Sequence, residues 1–343
     1  MHKYFGYDSF MATYQNGEYP NLKFLPGVRV EFIPRITGDF VKDACVWLRE
    51  NSNRIDVIYS FHFGKRTYKF IREFEKHNKN GKIYVELDGW QTAPKKYKLL
   101  KPRNLVNYFR NLYILRNAFV VTEFNENVEK LSKSWHHKIG CVPNPINPDE
   151  IKEFKNFTER ENIIFTSGRL GTHQKATEIL LNAFTKICDK IPNWKLKLAG
   201  KFRENINIAD EFFKAHPELK DRVIFAGMIN DREQLINMYR ESKIFAFPSR
   251  FESFGIALSE AMSQGCFPIV SNIPSSRFLT ENFKFAYYHE VDDVNTLAEK
   301  LLYACTHENE IENLAREGQK AIIKRCNLEK CCKTIQKGLN LNS

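Results

Sequence analysis

Two glutamates lie eight positions apart around the start of a helix in FPSRFESFGIALSEAMSQG, residues 247–265. Ser253 reads as the N-cap between Glu252 and Glu260. Phe254, Gly255 and Ile256 then supply the first free N–H groups of the helix. Gly255 leaves the backbone bare, so an anion can approach where the helix dipole favours it. A carboxylate repels phosphate, but it is acceptor-only and suits two neighbouring hydroxyls. Two acids around a phosphate cradle therefore fit a ligand with polyols on both sides of a phosphate, which describes a sugar nucleotide. Either acid alone reads more readily as solvated helix surface. The opposing wall is SGRLGTHQKA, residues 167–176, where Arg169 and Lys175 follow Gly168. Arginine binds a diphosphate bidentately and lysine binds it as a point charge. Two fixed cations can stabilise a departing nucleotide diphosphate. His173, between them, reads as loop.

These residues need strands and helices to place them. From about residue 160, apolar runs alternate with segments of helical period: NIIFTSG (162–168), KLKLAG (195–200), RVIFAG (222–227), KIFAFPS (243–249) and FPIVSN (267–272). Strand and helix in alternation predict a parallel sheet covered on both faces. Gly168, Gly200 and Gly227 fall at the carboxyl ends of strands, where such sheets bind ligands. The first half repeats the pattern with strands at 28–33, 54–61, 82–89, 118–123 and 138–144. Its helices fall near 40–51, 65–79, 101–116 and 124–134. The junction is the proline-rich VPNPINPDE (142–150). The expected division is 1–145, 146–325 and a closing helix, 326–343, that packs near or across the junction.

Composition narrows the classes. The chain has 343 residues, 43% hydrophobic and 27% charged, a globular balance of two-domain size. No apolar run reaches membrane-spanning length and no secretory leader is legible. Eight cysteines without a C-x-x-C pair read as free thiols of a reducing cytoplasm. Histidines lack ligand spacing and no D-x-D pair occurs, so no metal site is expected. There is no G-x-G-x-x-G after a strand, no Walker motif and no G-x-S-x-G elbow. The net charge is +11. Residues 1–150 hold 24 lysines and arginines against 16 acids, net +8, and the remainder holds 28 against 25, net +3. Segment 91–122 carries seven basic residues and no acid, interleaved with leucines and aromatics. Its part 91–116 fits an anionic membrane surface, or else a solvated helix face. No nucleic-acid-binding motif accompanies the charge, so nucleic acid is not an expected partner.

Residues 160–290 resemble the donor domain of retaining glycosyltransferases of family 4. The carriers are GRL followed by a lysine, the strands ending in AG and V-x-F-x-G, and the E-x7-E signature from Glu252 to Glu260. The resemblance implies an α/β chain of the GT-B fold, with two doubly wound, Rossmann-like parallel-sheet domains facing a cleft. It implies that Arg169 and Lys175 hold the diphosphate and that Glu260 takes the ribose diol. Glu252 would contact the transferred hexose, while Gly168, Ser253 and the backbone of Phe254–Gly255–Ile256 meet sugar and phosphate. Met228 and Ile229 would border the base. On the acceptor side, His62 ends a strand where the family often has a histidine facing the sugar, and Asp88 is similarly placed. Asn144 lies in VPNPI, where the family often has V-P-N-G; Pro145 replaces that glycine and weakens the match.

One departure stands out. Family members open on an apolar strand and a glycine-rich turn, but HKYFGYDSFMATY reads as the end of the following helix and the second strand. An unpaired position in the N-terminal sheet is expected, with impaired activity for this chain. The resulting expectation is a metal-independent hexosyltransferase without cofactor, cytoplasmic or peripheral at the inner face of the membrane. It would move a sugar from a nucleotide diphosphate sugar, UDP favoured over GDP, to a saccharide or lipid-linked hydroxyl. The alternatives are a non-catalytic or truncated sugar-nucleotide-binding relative, a sugar-nucleotide epimerase of the same fold, and a basic nucleic-acid-binding protein.

Overall fold

The computed structural model describes residues 1–19, 22, 27–87, 102–202 and 208–341. Asp88 and positions 91–101 of the basic segment lie outside the described residues. The chain divides into two compact units, Met1–Pro143 with Glu329–Ser343, and Asn144–Leu328.

The second unit carries the acids of the E-x7-E stretch. Its strands are β7 (Glu161–Ser167), β8 (Lys195–Ala199), β9 (Val223–Gly227), β10 (Ser242–Phe247), β11 (Phe267–Ser271) and β12 (Tyr287–His289). Between and after them run α6 (Thr177–Ile187), α7 (Ile208–Ala215), α8 (Arg232–Glu241), α9 (Ile256–Ser263), α10 (Pro274–Leu279), α11 (Val294–Thr306) and α12 (Glu308–Arg325). All six strands are parallel, in the order β12-β11-β10-β7-β8-β9. Helix α6 packs beside α11, and α9 packs beside α8 and α12, so helices cover both faces. That burial is why IIF and IFAF are continuous apolar runs rather than alternating ones. From β7 the chain winds outward through β8 and β9, then returns to β10 on the other side of β7. The order reverses between β7 and β10, and the loops leaving their carboxyl ends open a crevice there.

The first unit contains α1 (His2–Phe5), β1 (Ser9–Thr13), β2 (Val28–Phe32), α2 (Phe40–Asn51), β3 (Val57–Phe61), α3 (Lys65–His77), β4 (Lys82–Leu87), α4 (Pro102–Asn117), β5 (Phe119–Thr122), α5 (Asn125–Trp135) and β6 (Gly140–Cys141). The closing helix α13 (Leu328–Gly338) packs on it, with Cys331 and Leu339 against Tyr84, Val121 and Val142. Its described strands form two separate parallel sheets, β1-β2 and β3-β4-β5-β6. Both contribute to one core, with Phe10 and Ala12 of β1 and Ile58 of β3 packed against the same cluster. Among the described residues the two sheets share no strand pairing, as an unpaired position in this sheet would leave them. On the face away from that core, Tyr59 and Phe61 of β3 remain 49% and 54% exposed.

Candidate donor site

The crevice of the second unit gathers most of the predicted residues, and backbone constraint shapes its floor. Gly168 leaves β7 with φ +147°, and a Cβ there would come within 3.0 Å of Lys175 Cε. The missing side chain therefore makes room for Lys175. Gly200 is tighter: a Cβ would lie 1.7 Å from the carbonyl oxygen of Gly168. The loop after β7 can settle onto the end of β8 only because that position is glycine.

Above this floor, the two walls are bonded to each other. Lys175 Nζ lies 2.5 Å from Glu252 Oε1, and both side chains are largely buried. Ser249 Oγ donates to the same oxygen at 2.7 Å. Gln174 Nε2 donates to Glu252 Oε2 at 3.1 Å, while Gln174 Oε1 accepts from Arg169 Nη2 at 2.5 Å. One glutamine thus ties the exposed Arg169 to the recessed Glu252. Arg250 N donates to the Gln174 carbonyl at 2.9 Å and pins the two loops together.

Glu260 occupies a second pole. Arg232 Nη2 lies 2.7 Å from its Oε1, and Tyr239 OH donates to Oε2 at 3.2 Å. Burial, followed by the nearby Glu260 charge, pushes the Tyr239 phenol well above its usual range. It therefore stays protonated and able to donate.

The start of α9 corrects the reading of the signature stretch. The helix begins at Ile256 with Gly255 as its N-cap, and Ser253 and Phe254 lie in the bend before it. Gly255 has φ +92°, a left-handed conformation that disfavours any side chain. The glycine is thus demanded by the cap rather than tolerated in the first turn. Ser253 does not cap α9, and Phe254 supplies a buried ring, 6.3 Å from that of Phe278, rather than a helix-start N–H. Ile256 is 56% exposed at the mouth. Met228 is exposed and Ile229 half-buried in the loop after β9.

Other predicted residues fall outside this cluster. His62 lies in the first unit directly after β3, exposed, in a left-handed conformation with φ +61°. Its N–H donates to the Glu86 carbonyl at 2.8 Å. Asn144 is half-buried at the first position of the second unit. Gln174, Ser249, Arg232 and Tyr239 were not anticipated from sequence. Gln174 stands inside SGRLGTHQKA, but glutamine carries no charge pattern to mark it. Arg232 and Tyr239 reach Glu260 only through the placement of α8 beside α9. Among the described residues, no group of three or more His, Cys, Asp or Glu is placed to hold a metal ion.

The family model for glycosyl transferases group 1 matches residues 147–321, just over half of the chain and nearly the whole second unit. The chain belongs to this family. It is 29% identical over 179 residues to the uncharacterized glycosyltransferase YqgM of Bacillus subtilis, an alignment covering 52% of this chain and 46% of the relative. It is also 29% identical over 164 residues to the mannosylfructose-phosphate synthase of Agrobacterium fabrum, covering 46% and 35%. These matches span less than half the length of those relatives. Among solved structures, a glycosyltransferase from Rickettsia africae aligns over 99% of this chain and 92% of its own, with TM-score 0.78 and 16% identity. Anabaena HepE in complex with UDP aligns over 96% and 91%, with TM-score 0.72 and 14% identity. The fold is GT-B.

Proposed function

We propose that this glycosyltransferase moves a hexose from a nucleotide diphosphate sugar to a hydroxyl acceptor with retention of anomeric configuration. The observation that carries the reading is the bonded cluster Arg169–Gln174–Glu252–Lys175 at the crevice between β7 and β10. It sets two cations and a recessed carboxylate together at the position where such sheets take ligands. Arg169 and Lys175 bind the diphosphate, and Glu252 accepts from hexose hydroxyls. Glu260 accepts from the ribose diol, beside a base bordered by Met228 and Ile229. The acceptor oxygen attacks the anomeric carbon as its bond to the diphosphate oxygen breaks, through an oxocarbenium-like state. The acceptor proton passes to the departing diphosphate on the same face. Arg169 and Lys175 stabilise the charge that develops there, with no metal assigned a part.

UDP is the nucleotide to test first, since HepE was solved with it. The acceptor is a saccharide or lipid-linked hydroxyl; one relative is named as a galactosyltransferase acting on a diphosphoundecaprenol-linked sugar. His62, with Asp88 and Asn144, belongs to the acceptor side in this reading. Eight cysteines without a disulfide fit a reducing cytoplasm. Helix α4 exposes Leu105, Val106 and Phe109 beside Arg103, a face suited to an anionic membrane surface.

The test is calorimetric titration with UDP-, GDP- and ADP-sugars, beside Arg169→Ala and Glu252→Gln, followed by transfer assays. Binding of one nucleotide class, weakened in Arg169→Ala, with sugar transfer to an acceptor, supports the reading. No binding of any donor overturns it. The separate β1-β2 pair favours a second reading, a sugar-nucleotide-binding relative without transfer, and binding with neither transfer nor donor hydrolysis would establish that one.

A further inference from the structure

The Glu260 carboxylate is held from two sides by groups outside the E-x7-E stretch. Arg232 is the first residue of α8 and follows the Met228–Ile229 loop by three positions. Besides approaching Glu260 Oε1 at 2.7 Å, its Nε and Nη2 donate to Glu150 Oε1 and Oε2 at 3.0 and 2.6 Å. Glu150 is anchored in turn, because Gln264 Nε2 donates to its carbonyl at 2.9 Å. On the other side, Tyr239 OH donates to Glu260 Oε2 at 3.2 Å and sits 2.7 Å from Ser167 Oγ.

This arrangement has a chemical consequence. One guanidinium serves two carboxylates, so the cluster keeps a net negative charge and acceptor capacity. Each Glu260 oxygen makes one hydrogen bond or ion pair and retains a second acceptor direction. The plane of the carboxylate is fixed from both ends, while two acceptor sites stay open, the number that a vicinal diol requires. A planar guanidinium can hold two carboxylates in a set mutual orientation, which a lysine point charge cannot.

We propose that Arg232 is a positioning residue. Anchored by Glu150, it fixes Glu260 in the plane that accepts from both ribose hydroxyls, and it thereby sets the preference for a ribonucleotide over its deoxy counterpart. This rests on reading Glu260 as the ribose ligand. Because Arg232 begins the helix that follows the base-side loop, it also links the placement of that loop to the ribose contact.

The experiment measures affinities of the full chain for UDP and GDP, each beside its 2′,3′-dideoxy form. The proteins compared are the wild type, Glu260→Ala, Arg232→Ala, Arg232→Lys and Glu150→Gln. Hydrogen bonds to a charged group predict a wild-type preference for the ribonucleotide of about tenfold or more, abolished in Glu260→Ala. Arg232→Ala should remove most of that preference while leaving dideoxynucleotide affinity within about twofold. Arg232→Lys should restore part of it. If Arg232→Ala fails to fold, Glu150→Gln decides the matter, since a loosened anchor should lower the preference as well. An equal loss for ribo- and dideoxynucleotide, with the preference retained, overturns the proposal. So does a wild type that binds nucleotide without preferring the ribo form, an outcome that leaves the transferase reading intact. Failure to bind either nucleotide overturns this proposal, and failure to bind ADP as well overturns the transferase reading.

Discussion

At the residue scale, the charge of Lys175 is already met by Glu252. Lys175 and Glu252 form a largely buried pair at 2.5 Å, so in the proposed reading a diphosphate would have to take the lysine from the glutamate. That exchange would free Glu252 for the sugar. Glu252→Gln should accordingly keep or raise nucleotide diphosphate affinity, because Lys175 loses a competitor. Transfer should fall by about a hundredfold or more, on the scale of losing one transition-state contact. Titration with the nucleotide and a transfer assay separate the two effects, and a parallel loss of binding would count against the exchange. Gly200 is the sharpest steric prediction. Alanine there would drive Cβ to 1.7 Å from the Gly168 carbonyl at a backbone φ of +143°. Gly200→Ala should cost roughly 2–3 kcal/mol or more in denaturant unfolding, and the shift of the loop after β7 should weaken nucleotide binding too. A variant as stable as the wild type would show that the two loops are not locked together.

At the scale of elements, the first unit depends on a carboxylate at the start of α2. Asp43 is 1% exposed and accepts from Tyr14 OH at 2.5 Å, from the backbone N–H of Ile36, Thr37 and Gly38, and from the Thr37 hydroxyl. It fastens the loop after β2 to α2 and to the residue following β1. Burial works to raise this carboxyl, and the hydrogen bonds from Tyr14, Thr37 and Ile36 overcome it, taking it down to about 2. The folded value lies below the unfolded one of about 4, so the stabilisation is complete above that pH. It is lost as pH falls through the folded value. Asp43→Asn should lower the unfolding temperature of the first unit at pH 7 and flatten its decline between about pH 4 and 2. Thermal scans across that range check this, and an unchanged acid limb would show that Asp43 is not the group responsible.

At the scale of the whole molecule, charge and exposed apolar surface fall in the same region of the chain. The net charge is +11, of which residues 1–150 hold +8, counted from their 24 basic and 16 acidic residues. Helix α4 adds Leu105, Val106 and Phe109, which are 41%, 46% and 58% exposed. No helix among the described residues is long and apolar enough to cross a membrane. Attachment through α4 would therefore be interfacial, with an electrostatic share screened over about 8 Å at physiological salt. Co-sedimentation should show binding to vesicles containing phosphatidylglycerol and little to neutral phosphatidylcholine. Raising the salt should weaken it, and Arg103→Glu with Phe109→Ser should reduce it several-fold, since each basic residue near such a surface is worth about 1 kcal/mol. Binding indifferent to salt and lipid charge would remove α4 from the account.

The alternation of strands and helices, the division into two parallel α/β units and the stretch that carries Glu252 and Glu260 are legible in the chain alone. These follow from local periodicity and from glycines at strand ends, which act over a few residues and need no partner. Which residues meet across the crevice is settled by the fold. Gln174 joins Arg169 to Glu252, and Arg232 joins Glu150 to Glu260, across sequence separations of up to 82 residues that no spacing rule relates. The start of α9 was misread because serine and glycine both cap helices. Gly255 takes the cap with a left-handed φ of +92°, and the buried Phe254 lies just before it. Hydrophobic period fixes which face of an element is buried, but the reversal of strand order between β7 and β10 fixes which loops become neighbours, and the site is made of those neighbours.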